Sequence, residues 1–408
     1  MIVRKIKPEE LKRTKELFAI AFEMSMDNTK TVQQIYEDAL KPDASRMDFH
    51  WSEHWAAYQD DNHTMLSCFA ATPYPINFDG HHCKMAGIGG VASLPQYRRQ
   101  GGIRSCFTAA LPDMYENGYA FSYLYPFSTA YYRKFGYEMC CERIRYEIRL
   151  NAIRPFNVTG SCFLAEDDNN MLNDIKSVYE TWQNKYNMMV INEDFEYRWV
   201  LQANPAKEQC FTYVYRDEDA VPKGYISFSK VDEESGRNLR CSQFFYTDIE
   251  GFKGLMNLVY AYASDHKYIN FELPLDQMLT TLLPEWAMGA ARLQYVFRGM
   301  VRVINVAQVL QMAKYQGSGS LVLQISDDFI PQNNNRFKVC FQDDIALDVT
   351  VTEEPVDISL GINDFSRLIV GCSNAESILS MENVHIHSDL EKLSHLFYQK
   401  PNLITEYF

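Results

Sequence analysis

The chain has 408 residues, 47% of them hydrophobic and 23% charged, enough apolar material for two or three packed cores rather than one. Its 39 Lys plus Arg against 53 Asp plus Glu give a formal net charge of -14, which argues against a nucleic-acid partner, since that grip needs clustered positive charge. The N-terminal run Met1 to Phe18 holds no signal-peptide core, and no later segment approaches the ~18 unbroken apolar residues of a membrane helix. A cytoplasmic protein with no membrane partner is therefore expected. The ten cysteines include no CxxC pair and read as reduced core residues, and the sequon at Asn157 carries no modification in that compartment.

Charge is uneven along the chain. Residues 1–150 hold 18 basic and 18 acidic side chains, residues 151–300 hold 14 and 21, and residues 301–408 hold 7 and 14. In the first third, Ile2 to Ile6 reads as a strand, and Pro8 opens a helix with Leu11, Leu17, Phe18, Ala21 and Phe22 on one face. Strands follow at Trp55 to Gln59 and Met65 to Phe78, and the Asp79-Gly80 turn signal returns the chain through His81 to Ser93. Gly101-Gly102 precede a helix with Ile103, Phe107, Ala110, Leu111 and Met114 at helical spacing, which Gly118 is placed to end. A buried strand runs from Tyr119 to Tyr125.

The middle third begins near Pro155, with strands expected at Gly224 to Ser229, Ser242 to Thr247 and Tyr268 to Leu273, and a helix at Gly254 to Ala263. This order echoes the first third. Gly289 and the later Gly317-Ser-Gly-Ser bracket the entry to the last third. There Leu321 to Ile325, Phe337 to Gln342 and Ile345 to Thr352 read as a meander, followed by helices over Asn363 to Val370 and Ser388 to Phe397. Ser388 and Glu391 have capping-box spacing.

The most informative stretch is Gly89-Gly-Val-Ala-Ser-Leu-Pro-Gln-Tyr-Arg-Arg-Gln-Gly-Gly-Ile-Arg104. A strand ends at a basic, glycine-containing turn that leads straight into a helix, so several backbone N–H groups and the helix N-terminus converge where a pyrophosphate would sit. Arg98, Arg99 and Arg104 add neutralising charge. A second stretch, Tyr131-Tyr-Arg-Lys-Phe-Gly-Tyr137, follows the next strand. Together the two resemble the R/QxxGxG/A motif and the downstream Tyr-x-x-x-Gly-Phe/Tyr element of GNAT N-acetyltransferases. Arg98 to Ile103 fill the first motif, with Ile103 where the family usually has Gly or Ala.

The resemblance extends over the whole chain to the Eis (enhanced intracellular survival) branch, through these two stretches, the run Met300 to Val306 and the aromatic C-terminus at Phe408. It implies an α+β fold of two tandem GNAT-like domains and a sterol-carrier-like domain, at 1–152, 153–293 and 294–408. It further implies acetyl-CoA as co-substrate, with pantetheine along Val91, Ala92 and Ser93. The pyrophosphate would lie on Arg98, Arg99, Gln100, Gly101, Gly102, Ile103 and Arg104, with further contacts at Phe127 and Ser128. Family members act on cationic amines, including aminoglycosides and lysine side chains, and commonly form hexamers, so a homo-oligomer is expected.

Acetyl transfer to an amine needs a proton donor for the departing thiolate and an acceptor for the amine proton. Tyr132 occupies the position of the family's general acid, with Tyr131 as rival. A tyrosine of pKa ~10 stays protonated at neutral pH and can protonate a thiolate whose acid titrates near ~8.5. The resemblance assigns the base to the free carboxylate of Phe408, with Glu406 as fallback. In the middle third, Asp248 and Glu250 stand at the corresponding turn and would repel a pyrophosphate, so one acetyl-CoA site per chain is expected.

His50-Trp-Ser-Glu-His54 spells a zinc-peptidase pattern, but the strand at Trp55 stops the helix it needs and no third ligand is evident, so no metal is expected. A different class of function is lipid binding by the last domain, with a vestigial acetyltransferase site.

Overall fold

In a computed structural model of the chain, residues 1–25, 29–41, 54–202, 205–277, 279 and 289–408 are described. Residues 1–141 and 298–408 form one compact unit, and residues 142–297, which separate them in sequence, form a second.

The first unit is built on a seven-stranded sheet. Its strands are β1 (Ile2–Lys5), β2 (His54–Tyr58), β3 (Met65–Phe78), β4 (His81–Ser93), β5 (Tyr119–Leu124) and β6 (Glu138–Met139), with Met300–Val303 inserted between β5 and β6. Only β4 and β5 run parallel. The β3–β4 hairpin closes through Asp79 and Gly80, both at positive φ, as the two central residues of a type I′ turn must be.

Helices α1 (Leu11–Phe22) and α2 (Val32–Ala39) precede β2, and α3 (Gly102–Glu116) and α4 (Thr129–Arg133) flank β5. Alternation along the strands assigns the two faces of the sheet. Trp55, Ala57, Ala86 and Ile88 pack with Ile103, Phe107, Leu111 and Met114 of α3, whereas Ala56, Tyr58 and Ala92 pack with Leu11 and Leu17 of α1. Each fully buried side chain of this size contributes about 1.5–3 kcal/mol, so the apolar stripe anticipated on α3 is what fixes its N-terminus against the sheet.

The same unit carries a five-stranded sheet. Its order is Ile345–Val351, Arg336–Gln342, Gly319–Ser326, Ile358–Gly361, His385–Ile386, and the first three form the expected antiparallel meander. The last helix, Leu390–Leu396, is capped one residue later than the Ser388–Glu391 spacing predicts. Asp389 accepts from the N–H groups of Glu391 and Lys392, because a carboxylate at that position competes better for them than the Ser388 hydroxyl, which donates to the Asp357 carbonyl instead.

In the second unit, seven strands again include one parallel pair, Gly236–Tyr246 with Tyr268–Pro274. The helix expected at 254–263 spans Ile249–Tyr260, because Asp248 caps it by accepting from Gly251 N–H. Asn169–Lys185, a helix that the chain-order reading passes over, carries Leu172, Ile175, Tyr179 and Trp182 on its buried face behind an Asp168 cap. Among the described residues no helix is long and apolar enough to cross a membrane. Of the histidine-rich run, His50 and Glu53 lie outside the described residues, and His54 opens β2.

Candidate active site

The parallel pairing of β4 with β5 runs from Lys84–Tyr119 to Ile88–Leu124 and stops there. Beyond it β4 continues to Ser93 with β3 as its partner, so the edge of Gly89 to Ser93 that would face β5 is not taken up by that strand. A bulge lies at the same place: Cys68 faces Ala92 and Ala70 faces Gly89. The inserted residue shifts the alternation by one. Ile88 and Val91 both pack on the α3 side, while Ala92 turns to the α1 side. Backbone donors and acceptors are thus offered along an opening between two strands, the arrangement an extended, amide-bearing chain such as pantetheine can pair with.

That opening leads to the basic turn. Arg98, Arg99, Gln100, Gly101 and Arg104 are exposed, whereas Gly102 and Ile103 are buried. Gly101 is the N-cap residue of α3, in the left-handed region and with no side-chain cap, so the orphan N–H groups of the first helical turn are left for another acceptor. Arg98 and Arg99 pair with no carboxylate among the described residues. Ile103 sends its side chain into the core beneath α3, which leaves its backbone on the turn as a Gly or Ala would. The residues fit a pyrophosphate.

Tyr132 lies on α4, whose N-cap Ser128 accepts from Tyr131 N–H. It is 2% exposed, set edge-on to Phe107, Tyr137 and Tyr131. Its hydroxyl bonds no side chain or carbonyl among the described residues. Burial, with smaller effects of Tyr131 and Tyr137, pushes it above the ordinary tyrosine range, so it stays protonated throughout the neutral region. Tyr131 is half-buried, and burial raises it too. Phe127, 74% exposed, lies against both rings.

The end of α4 is held by a pair absent from the sequence expectations. Arg302, fully buried, donates from Nε to the Phe135 carbonyl at 2.7 Å and from NH2 to Asp327 at 2.6 Å. Asp327 also accepts from Phe329 N–H and from Asn333. The signal was present in Met300-Val-Arg-Val303, an arginine in an apolar strand, which is seldom tolerated unpaired.

Phe408 reaches the sheet from the opposite face. Its ring is 9% exposed, 5.3 Å from that of Tyr74 and 5.4 Å from that of Tyr125, and a Cβ on Gly87 would lie 2.9 Å from its Cγ. Gly87 sits between Ala86 and Ile88, which face α3, so Phe408 and Tyr132 occupy opposite faces. Tyr125 donates to the Glu406 carbonyl and lies tilted against the ring of Tyr407. Gly87 is one residue short of Ile88, the last β4 residue paired with β5.

Acetyltransferase (GNAT) domain families match residues 2–140 and 189–303, and the sterol carrier protein domain family matches residues 306–404. The chain carries two GNAT domains and a sterol-carrier domain. Its class is acetyl-CoA-dependent N-acetyltransferase, with an amine as acceptor. The acetyltransferase shares its fold with a conserved protein of Enterococcus faecalis V583 (TM-score 0.84, 22% identity, 100% of this chain and 99% of that one). A GCN5-related N-acetyltransferase from Anabaena variabilis is similar at TM-score 0.83 and 19% identity, covering both chains fully. Eis1 from Mycobacterium abscessus is similar at TM-score 0.79 and 17% identity, again over both full lengths. No curated protein matches.

The second GNAT domain of the acetyltransferase fills its own helix N-terminus. Asp248 accepts from Gly251 N–H and is paired with Lys223 at 3.0 Å. Glu250 accepts from Tyr215 at 2.6 Å and from Thr159 N–H at 3.1 Å. Carboxylates stand where the first domain presents Gly101 and two exposed arginines.

Proposed function

We propose that the acetyltransferase is of the Eis type, with domains at 1–152, 153–293 and 294–408, and moves an acetyl group from acetyl-CoA to a cationic primary amine. Acetyl-CoA would lie with pantetheine along Val91 to Ser93 and pyrophosphate on Arg98 to Arg104, and would supply the thioester. The Phe408 carboxylate takes a proton from the amine as its nitrogen forms the new C–N bond. Tyr132 gives a proton to the sulfur as the C–S bond breaks. Burial pushes the Cys83 and Cys106 thiols up to about 12, which suits direct attack rather than a thiolate relay. The observation that carries this reading is the seating of the chain terminus on Gly87, across the sheet from a buried Tyr132, where β4 and β5 part. By the same resemblance the protein acts in the cytoplasm as a hexamer, on acceptors of the aminoglycoside or lysine-side-chain kind.

The test is a panel of cationic amines assayed by thiol release, with mass spectrometry of the products. The wild-type chain acetylates at least one. Tyr132→Phe lowers kcat on the order of 100-fold while acetyl-CoA affinity stays within about twofold, and residues added after Phe408 abolish turnover in a folded protein. Full activity of the extended chain would remove Phe408 from the role of base.

A further inference from the structure

The tail that ends at Phe408 is fastened well before its end. Lys400 is buried, and its Nζ donates to Asp79 Oδ2 at 2.5 Å and to the Ile369 carbonyl at 3.3 Å. Asp79 is also buried, in the β3–β4 turn, and the same oxygen accepts from Lys314 N–H at 2.8 Å. From there the chain is bonded and packed: Asn402 donates to the Val370 carbonyl, and Leu403 and Ile404 are buried. The interval from Asp79 to Gly87 along β4 equals that from Lys400 to Phe408 along the tail, eight residues in each case.

A buried ion pair is a poor way to gain stability, since well-packed apolar residues of similar volume commonly serve as well or better. What it adds is position. Apolar contacts between an extended tail and a sheet tolerate a slip of one residue, whereas a lone ammonium among apolar side chains has one carboxylate to meet.

We propose that the Asp79–Lys400 pair is a register pin: it fixes the length of chain between the β3–β4 turn and the terminal carboxylate, so that the carboxylate arrives at the opening between β4 and β5. The proposal rests on the reading of Phe408 as base, and makes Asp79 and Lys400 positioning residues. Lys400→Met leaves the Asp79 carboxylate buried without its ammonium counter-charge and risks unfolding, so the double variant Asp79→Asn/Lys400→Met, which removes both charges, is the main probe, with its melting temperature checked against wild type.

Carboxypeptidase digestion followed by mass spectrometry reads the tail without reference to activity. In the double variant Phe408 is released at least tenfold faster than in wild type. In the same variant kcat falls at least tenfold, acetyl-CoA KM stays within twofold, and added formate, a free carboxylate, restores part of kcat. A pair that merely stabilised the fold would give no such rescue. Phe408 released no faster than in wild type overturns the pin. Faster release with unchanged kcat supports the pin and overturns Phe408 as base.

Discussion

Gly87 is a residue whose absence of a side chain is used. A Cβ there would fall 2.7 Å from Tyr74 Cε2 and 2.9 Å from Phe408 Cγ, closer than van der Waals contact permits, so Gly87→Ala pushes the Phe408 ring off the sheet. The expected outcome is a drop in kcat on the order of tenfold or more, because a misplacement of about 1 Å is felt strongly in proton transfer. Acetyl-CoA affinity is unchanged, since the turn Arg98 to Arg104 lies beyond the parting of β4 and β5; steady-state kinetics with an equilibrium binding assay separates the two. Tyr132 adds a pH signature. Its hydroxyl is held above the ordinary tyrosine value by burial, so the acid form persists above pH ~10, and the alkaline fall of kcat is the same in wild type and in any variant that leaves Tyr132 buried.

Two strand-to-helix turns in one chain have opposite electrostatics, and this was readable from residue types alone. Arg98, Arg99 and Gly101 against Asp248 and Glu250 is a difference of charge at matching places. The structure adds that the carboxylates of the second turn are hydrogen-bonded by Gly251 and Tyr215, so they stay ionised in place. Arg98→Gln/Arg99→Gln raises acetyl-CoA KM roughly tenfold with little change in kcat, and titration calorimetry gives one acetyl-CoA per chain; a second equivalent would contradict the contrast between the turns. The β4 bulge and the parting of the strands were less legible. Gly89-Gly90 marks a bend, but which backbone edge is left over depends on the partner strand, and pairing with β5 is decided by tertiary packing. Arg302 with Asp327, and Asp79 with Lys400, escaped the sequence reading for the same reason: each pair meets across a long stretch of chain, and a single sequence shows the charges without their partners.

At the level of the molecule, charge and connectivity carry function. Residues 301–408 hold 14 acidic and 7 basic side chains and belong to the unit that holds Phe408, so on the proposed function their field would draw a polycationic amine in while the phosphates would dock at arginines elsewhere. Acceptor KM should rise roughly two- to tenfold between low and high ionic strength as this field is screened; a flat KM would dismiss steering. That the middle third repeats the first was visible as a strand-helix-strand pattern and the third domain came from the family resemblance, but not that the first sheet borrows Met300–Val303 between β5 and β6. That loan has a cost in time. As the chain is synthesised, β5 waits with an open edge while all of residues 142–297 are added, an interval on the order of ten seconds at bacterial-type elongation rates. An unpaired edge beside a buried core is a template for wrong pairing, so the nascent chain is most vulnerable to aggregation in that window, and slowing translation after residue 141 should lower the soluble yield more than slowing it after residue 303.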